Sequence, residues 1–196
     1  MNRDIRICFI GDSFVNGTGD ETKLGWAGRL CTQLEAPDKE ITYYNLGIRR
    51  NTSKDIKARW EYECGTRLID GAENIVFFSF GVNDTVLDGL NCRISKLESI
   101  ENAKSILTDS SKKYNVRMIG PTPVIDIEQN NRIRALDFEF MKIAEDLDIP
   151  YLSVFESLLC NQTWMEESSN NDGFHPQSGG YQILGELIIN WEKLDI

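Results

Sequence analysis

Short, nearly continuous apolar runs alternate along this chain with longer stretches whose apolar residues recur every three or four positions. That alternation constrains the fold more than any other feature. The runs at Ile5–Ile10, Ile41–Leu46, Ile75–Phe80, Val116–Ile119 and Tyr151–Leu152 read as strands. Most lack the in-out alternation of a half-exposed strand, as expected in a parallel sheet covered on both faces. Helical spacing predicts helices over Trp26–Leu34, Ser53–Arg67, Arg93–Tyr114, Asn131–Leu147 and Ser178–Lys193. Their stripes, such as Ile133, Leu136, Phe140, Ile143 and Leu147, or Ile94, Leu97, Ala103 and Leu107, are expected to face the core. The pattern implies an α/β fold, a three-layer α/β/α sandwich with a mainly parallel five-stranded sheet, and a single domain over the 196 residues.

Charge and cysteine content narrow the function classes. With 31 acidic against 21 basic residues the formal net charge is −10. Such a field repels phosphate backbones and anionic headgroups, so neither a nucleic-acid partner nor a stable membrane association is expected. The five cysteines, at positions 8, 31, 64, 92 and 160, include no C-x-x-C pair. With a single histidine in the chain to join them, a metal site is not expected. An odd thiol count without a disulfide framework points to a reducing, cytoplasmic setting. The Ile5–Ile10 run is too short for a signal-peptide core, and no segment reaches the length needed to cross a bilayer.

In an open α/β sheet, ligands bind beyond the carboxyl ends of the strands. The first strand runs into Gly11-Asp12-Ser13, the third into Gly81-Val82-Asn83-Asp84, and Asp172-Gly173-Phe174-His175-Pro176 stands just before the last helix. A serine in a strand-to-helix turn can present its hydroxyl and its own N–H to one space. An asparagine amide offers uncharged donors to a developing alkoxide. A histidine base needs its far nitrogen held by an acceptor, and an aspartate three residues earlier can supply one. Taken singly, each has an ordinary explanation: an N-cap serine, a turn asparagine, a surface histidine. Together, in the order Ser, Asn, Asp, His, they form the set needed for acyl transfer. The sole histidine is among them.

These motifs resemble those of the SGNH hydrolase superfamily, also called GDSL esterases and lipases, and the resemblance spans essentially the whole chain. It implies a flavodoxin-like fold, with Ser13 as nucleophile, His175 as base, Asp172 as its orienting carboxylate, and the Asn83 amide and Ser13 N–H as oxyanion donors. Phe14 stands where many members have Leu. The second block reads Asn45-Leu46-Gly47-Ile48-Arg49-Arg50, so Arg50 occupies the position whose glycine gives an oxyanion N–H in many members. Nothing in the sequence offsets the strain of a left-handed arginine. Its peptide is therefore expected to rotate to an ordinary conformation and turn the N–H out of the hole. The long side chain would overhang the cleft and favour small or anionic substrates.

The expected activity is cofactor-free hydrolysis of small soluble carboxylic esters or thioesters. Thioesterase, lysophospholipase and carbohydrate O-deacetylase chemistry remain open on the same site, as does a non-catalytic flavodoxin-like binding module. The loops Asp84–Asn91 and Gly120–Asn130 are expected to border the cleft. Pro121, Pro123, Val124, Ile125 and Ile127 either line an acyl pocket or pack on the body. Oligomeric state and natural substrate have no signature in the sequence.

Overall fold

The computed structural model describes residues 2–196. Strands β1 (Arg3–Gly11), β2 (Lys39–Gly47), β3 (Glu73–Ser79), β6 (Asn115–Ile119) and β7 (Tyr151–Leu152) form one sheet of five, in the order β2-β1-β3-β6-β7. Every pairing in it is parallel. Two further short strands, β4 (Leu87–Asp88) and β5 (Asn91–Cys92), make a small antiparallel hairpin outside it. The helices are α1 (Ser13–Asn16), α2 (Gly25–Leu34), α3 (Ser53–Gly65), α4 (Lys96–Ser111), α5 (Ile127–Asp146), α6 (Phe155–Leu159), α7 (Gln162–Asn170) and α8 (Ser178–Ile189).

The apolar residues of β1 divide between two cores because successive side chains point to opposite faces. Ile5, Ile7 and Phe9 meet Trp26 and Leu30 of α2 and Tyr181, Leu184 and Ile188 of α8. Cys8 and Ile10 face the other way, toward Ile56 and Trp60 of α3, Ile106 of α4 and Phe140 of α5. Helices thus cover both faces, which gives the expected three-layer α/β/α sandwich and explains why β1 and β3 read as unbroken apolar runs. Their rings pack closely, with Phe9 stacked on Phe77 at 5.1 Å and edge-on to Trp26 at 5.2 Å.

The third helix stripe needs correction. Leu97 is 67% exposed, and Ile94 is buried from the loop ahead of α4. The helix begins only after Ser95, whose side chain accepts from the Glu98 N–H, so counting from Ile94 set the wrong phase.

The order of the strands fixes where a ligand can sit. From β1 the chain moves outward to β2, then returns to the other side of β1 to form β3. The crevice at that reversal opens beyond the carboxyl ends of β1 and β3. The segments leaving those two ends carry Ser13 and Asn83.

Candidate active site

Ser13 is the first residue of α1, directly after β1. Gly11 allows the turn to be this tight: a Cβ there would stand 2.1 Å from the Ser79 carbonyl oxygen and 2.3 Å from Val15 Cγ2. Gly47 serves the same end from β2, since its Cβ would meet the Asn16 nitrogen at 2.1 Å. As the first helical residue, Ser13 has a backbone N–H with no partner within its helix. The α1 helix is only four residues long, so it contributes less field than a full helix would.

His175 reaches this serine from the loop ahead of α8. Its Nε2 stands 2.7 Å from Ser13 Oγ, and its Nδ1 2.7 Å from Asp172 Oδ2. Asp172 Oδ1 accepts from the backbone N–H groups of Phe174 (3.0 Å) and His175 (2.9 Å). One carboxylate therefore fixes both the turn and the ring. Asn171 Nδ2 donates to the His175 carbonyl at 3.0 Å, and the Phe14 ring lies against the imidazole at 4.8 Å. Behind the loop, Glu167 Oε2 accepts from the N–H groups of Gln177 and Gly180, both at 2.8 Å, and caps α8.

The electrostatics suit a base. Burial pushes the His175 pKa down and the Asp172 carboxylate pulls it up, with a net value below the ordinary 6.5. For Asp172, burial alone would raise the pKa, but the bonds from His175 and Phe174 outweigh it and hold it below 3.8. A histidine base works only when neutral, so activity should fall on acidification, with its midpoint below pH 6.5. The acid limb of the kcat/KM profile is the measurement, and a midpoint above 7 contradicts the expectation.

Asn83 opens a 3₁₀ turn (Asn83–Thr85) after β3, and its Nδ2 donates to Asp12 Oδ2 at 3.2 Å. The other carboxylate oxygen of Asp12 accepts from the Phe14 N–H at 3.0 Å. Asp12 thus ties the serine turn to the asparagine turn, a link that reading the motifs separately misses. Burial pushes its pKa up to about 7, against the lowering effect of the Phe14 N–H. If the rate profile carries an inflection near 7, Asp12→Asn should remove it and leave the histidine limb. Asp84 anchors the same turn to α3, accepting the Ser53 N–H at 2.8 Å. Arg59 of α3 completes the frame, donating to the Gly11 carbonyl at 2.8 Å and to Asn51 Oδ1 at 2.7 Å.

Ser13, Asn83, His175 and Arg50 line one cleft of about 200 Å³, bordered also by Val86, just ahead of β4, and by Arg93, just after β5. A groove of about 610 Å³ beside α8 is larger, but no serine or histidine lines it. The Gly120–Asn130 loop does not line the cleft. Pro121, Pro123 and Val124 are buried in the body, and Ile127 is 75% exposed at the start of α5.

Arg50 corrects the sequence reading more sharply. Its φ is +68°, so the arginine adopts the left-handed conformation that glycine would take. It is the third residue of a turn closed by the Asn51 N–H on the Ile48 carbonyl at 3.2 Å, and a positive φ at that place is the mark of a type II turn. The neighbours fix this geometry: Arg93 Nη1 donates to the Arg50 carbonyl at 3.0 Å, Arg59 holds Asn51, and the Thr52 cap starts α3. A left-handed L-residue costs roughly 1–2 kcal/mol, and glycine gives back part of that in chain entropy. Arg50→Gly should therefore stabilise the protein by about 0.5–1 kcal/mol, read from urea denaturation at constant m-value. A loss of stability would show that the side chain's contacts outweigh the backbone strain.

The GDSL-like lipase/acylhydrolase family model matches residues 9–183. The chain belongs to that family. With this membership it is a hydrolase of ester bonds. The fold resembles that of a lipase/acylhydrolase from Enterococcus faecalis, with TM-score 0.75 and 21% identity over 94% of this chain and 93% of that one. It also resembles Axe2, an acetylxylan esterase from Geobacillus stearothermophilus, with TM-score 0.76 and 19% identity over 98% and 97%. The protein YpmR of Bacillus subtilis is 22% identical over 206 residues, covering 94% of this chain and 80% of that protein. Among the described residues no helix is long and apolar enough to cross a membrane.

Proposed function

We propose that the chain cleaves small soluble carboxylic esters or thioesters by two-step acyl transfer through Ser13. The observation that carries this reading is the continuous line from Asp172 Oδ2 through His175 to Ser13 Oγ, with 2.7 Å at each hydrogen bond. His175 takes the Ser13 proton as the hydroxyl oxygen attacks the acyl carbon, then passes it to the departing alcohol or thiol. Asp172 keeps the ring in the needed tautomer and stabilises the imidazolium. The Ser13 N–H and the Asn83 amide meet the oxyanion, with the Arg50 N–H as the third position. Water, deprotonated by the same histidine, then attacks the acyl-serine. The product is the free acid, and His175 returns the proton to Ser13. No step calls on a metal or organic cofactor.

The cleft of about 200 Å³ favours short acyl groups. Acetyl esters, including the kind of acetylated carbohydrate that gives acetylxylan esterase its name, therefore belong with simple esters as substrates to test. The net charge of −10 favours dissolved substrates over nucleic acid or anionic membranes, and the five free thiols favour a cytoplasmic setting.

A panel of esters and thioesters of graded acyl length tests the reading. Turnover should be greatest for acetyl to butyryl chains and decline beyond them. Activity confined to long-chain, aggregated substrates would contradict it, and no turnover of any acyl compound would favour a binding module.

A further inference from the structure

Among the described residues, most of the chain's arginines are engaged by carboxylates or backbone carbonyls. Arg3 pairs with Glu73, Arg29 with Asp20, Arg59 and Arg67 with Glu63, and Arg134 with Glu156. Arg117 is spent on the carbonyls of Leu194 and Asp195. Arg49, Arg50 and Arg93 pair with no carboxylate. All three line the cleft that holds Ser13 and His175, and none has a carboxylate oxygen within 4.0 Å, the reach of an ion pair. No Asp or Glu lines that cleft, in a chain with 31 acidic residues.

The two acids whose field reaches Arg93, Asp55 and Asp84, form no ion pair with it. Asp55 Oδ2 accepts from the N–H and hydroxyl of Thr52, and Asp84 is buried against the Ser53 N–H. Arg93 does make one bond, to the Arg50 carbonyl at 3.0 Å, which steadies its guanidinium at the cleft without neutralising it. Arg49 borders the cleft and also an adjoining groove of about 330 Å³, where Lys23 is a second cation and again no acid is present. None of these cations is therefore paired with a carboxylate. Three like charges around one small cleft repel each other, and guanidinium, unlike imidazole, cannot shed its charge at any working pH. An anion on the substrate relieves that repulsion and matches the fork geometry of the donors.

We propose that the cleft selects esters that carry an anionic group, a carboxylate, sulfonate or phosphate, held by Arg49, Arg50 and Arg93. The inference rests on Ser13 being the acylated residue and adds the substrate class. Bound there, the anion anchors the molecule while Ser13 attacks its ester carbon, and the bonds formed and broken are those of ordinary ester hydrolysis.

Three esters test it: phenyl acetate, neutral; 4-sulfophenyl acetate, charged on the leaving side; and phenyl hydrogen succinate, charged on the acyl side. Each kcat/KM is divided by the second-order rate constant for hydroxide-catalysed hydrolysis of the same ester, which excludes attack by the succinate's own carboxylate. At low ionic strength one anionic ester should exceed phenyl acetate by about tenfold or more, chiefly through a lower KM. The one that does so tells which side of the scissile bond the arginines serve. The advantage should shrink in 0.5 M salt, on the order of a few-fold or more, as screening predicts. The Arg49→Gln/Arg93→Gln double variant, which leaves Arg50 in place, should lower the ratio by a few-fold or more toward the neutral level. Equal turnover of all three, or a preference indifferent to both salt and the double variant, overturns the inference and leaves the esterase reading intact. Failure of the esterase reading has its own signature, no turnover of phenyl acetate. The anion site is then decided by calorimetric titration of Ser13→Ala with 4-sulfophenyl acetate and phenyl acetate. Tighter binding of the sulfonate by about tenfold supports it, and equal or absent binding refutes it.

Discussion

Replacing His175 with alanine is expected to lower kcat by a factor on the order of 10⁴–10⁶, the range found when a member of a Ser-His-Asp set is removed. The size of the effect follows from the chain having one histidine. No second imidazole can take over the Ser13 proton; the Asp172 carboxylate is held to the ring and to two N–H groups, and that of Asp12 to the Phe14 N–H and the Asn83 amide. Ser13→Ala should cost about as much, and the double variant scarcely more, because the two residues act as one unit. His175 is 8% exposed and packs on Phe14, so circular dichroism should accompany the kinetics. Retention of more than about a tenth of the activity by a folded His175→Ala protein would remove His175 from the mechanism.

Asn83→Ala is expected to lower kcat by about 10²–10³ with little change in KM. The amide donates to Asp12 in the resting protein, an arrangement that holds it at the mouth of the cleft before any oxyanion exists. Its bond to the substrate oxygen strengthens only as charge develops there, so the loss belongs to the transition state. Asp12→Ala should give a smaller loss in the same direction, since it loosens the amide without removing it, and Asp12→Asn should recover part of it. A rise in KM with kcat unchanged for Asn83→Ala would make Asn83 a residue for substrate binding or for structure alone.

The layers of the fold were legible because burial on both faces leaves strands such as Ile75–Phe80 almost without polar residues. Long helices with one apolar stripe, such as α5, were legible for the same reason. Apart from β7, the short elements were not. α6 and α7 have five and nine residues, too few for a periodicity, and β4 and β5 are two-residue strands. Leu97 breaks its stripe because Ser95 caps α4 between Ile94 and Leu97, so the two do not share a helical phase.

At the site, Ser13, Asn83, Asp172 and His175 could be named because each sits in a short local motif. Asp12 stands in the same motif as Ser13. Its bond to Asn83, however, spans 71 positions, and its importance appears only when the two turns meet in space. The same holds for Glu167 over α8 and for Arg59 and Arg93 around the Arg50 turn. Arg50 itself was misjudged on a sound local rule, that an arginine avoids positive φ. Tethers from α3 and from the loop after β5 overrule that preference, and no local reading could have supplied them.

The most direct measurement of the central claim is labelling with an organophosphate such as diisopropyl fluorophosphate, followed by intact-mass analysis and peptide mapping. The reagent phosphorylates a serine only where a base activates the hydroxyl and donors receive the developing oxyanion. The account predicts one adduct per chain, carried by Ser13, absent from Ser13→Ala and strongly slowed in His175→Ala. An unlabelled wild-type protein, or an adduct on any other residue, would contradict it.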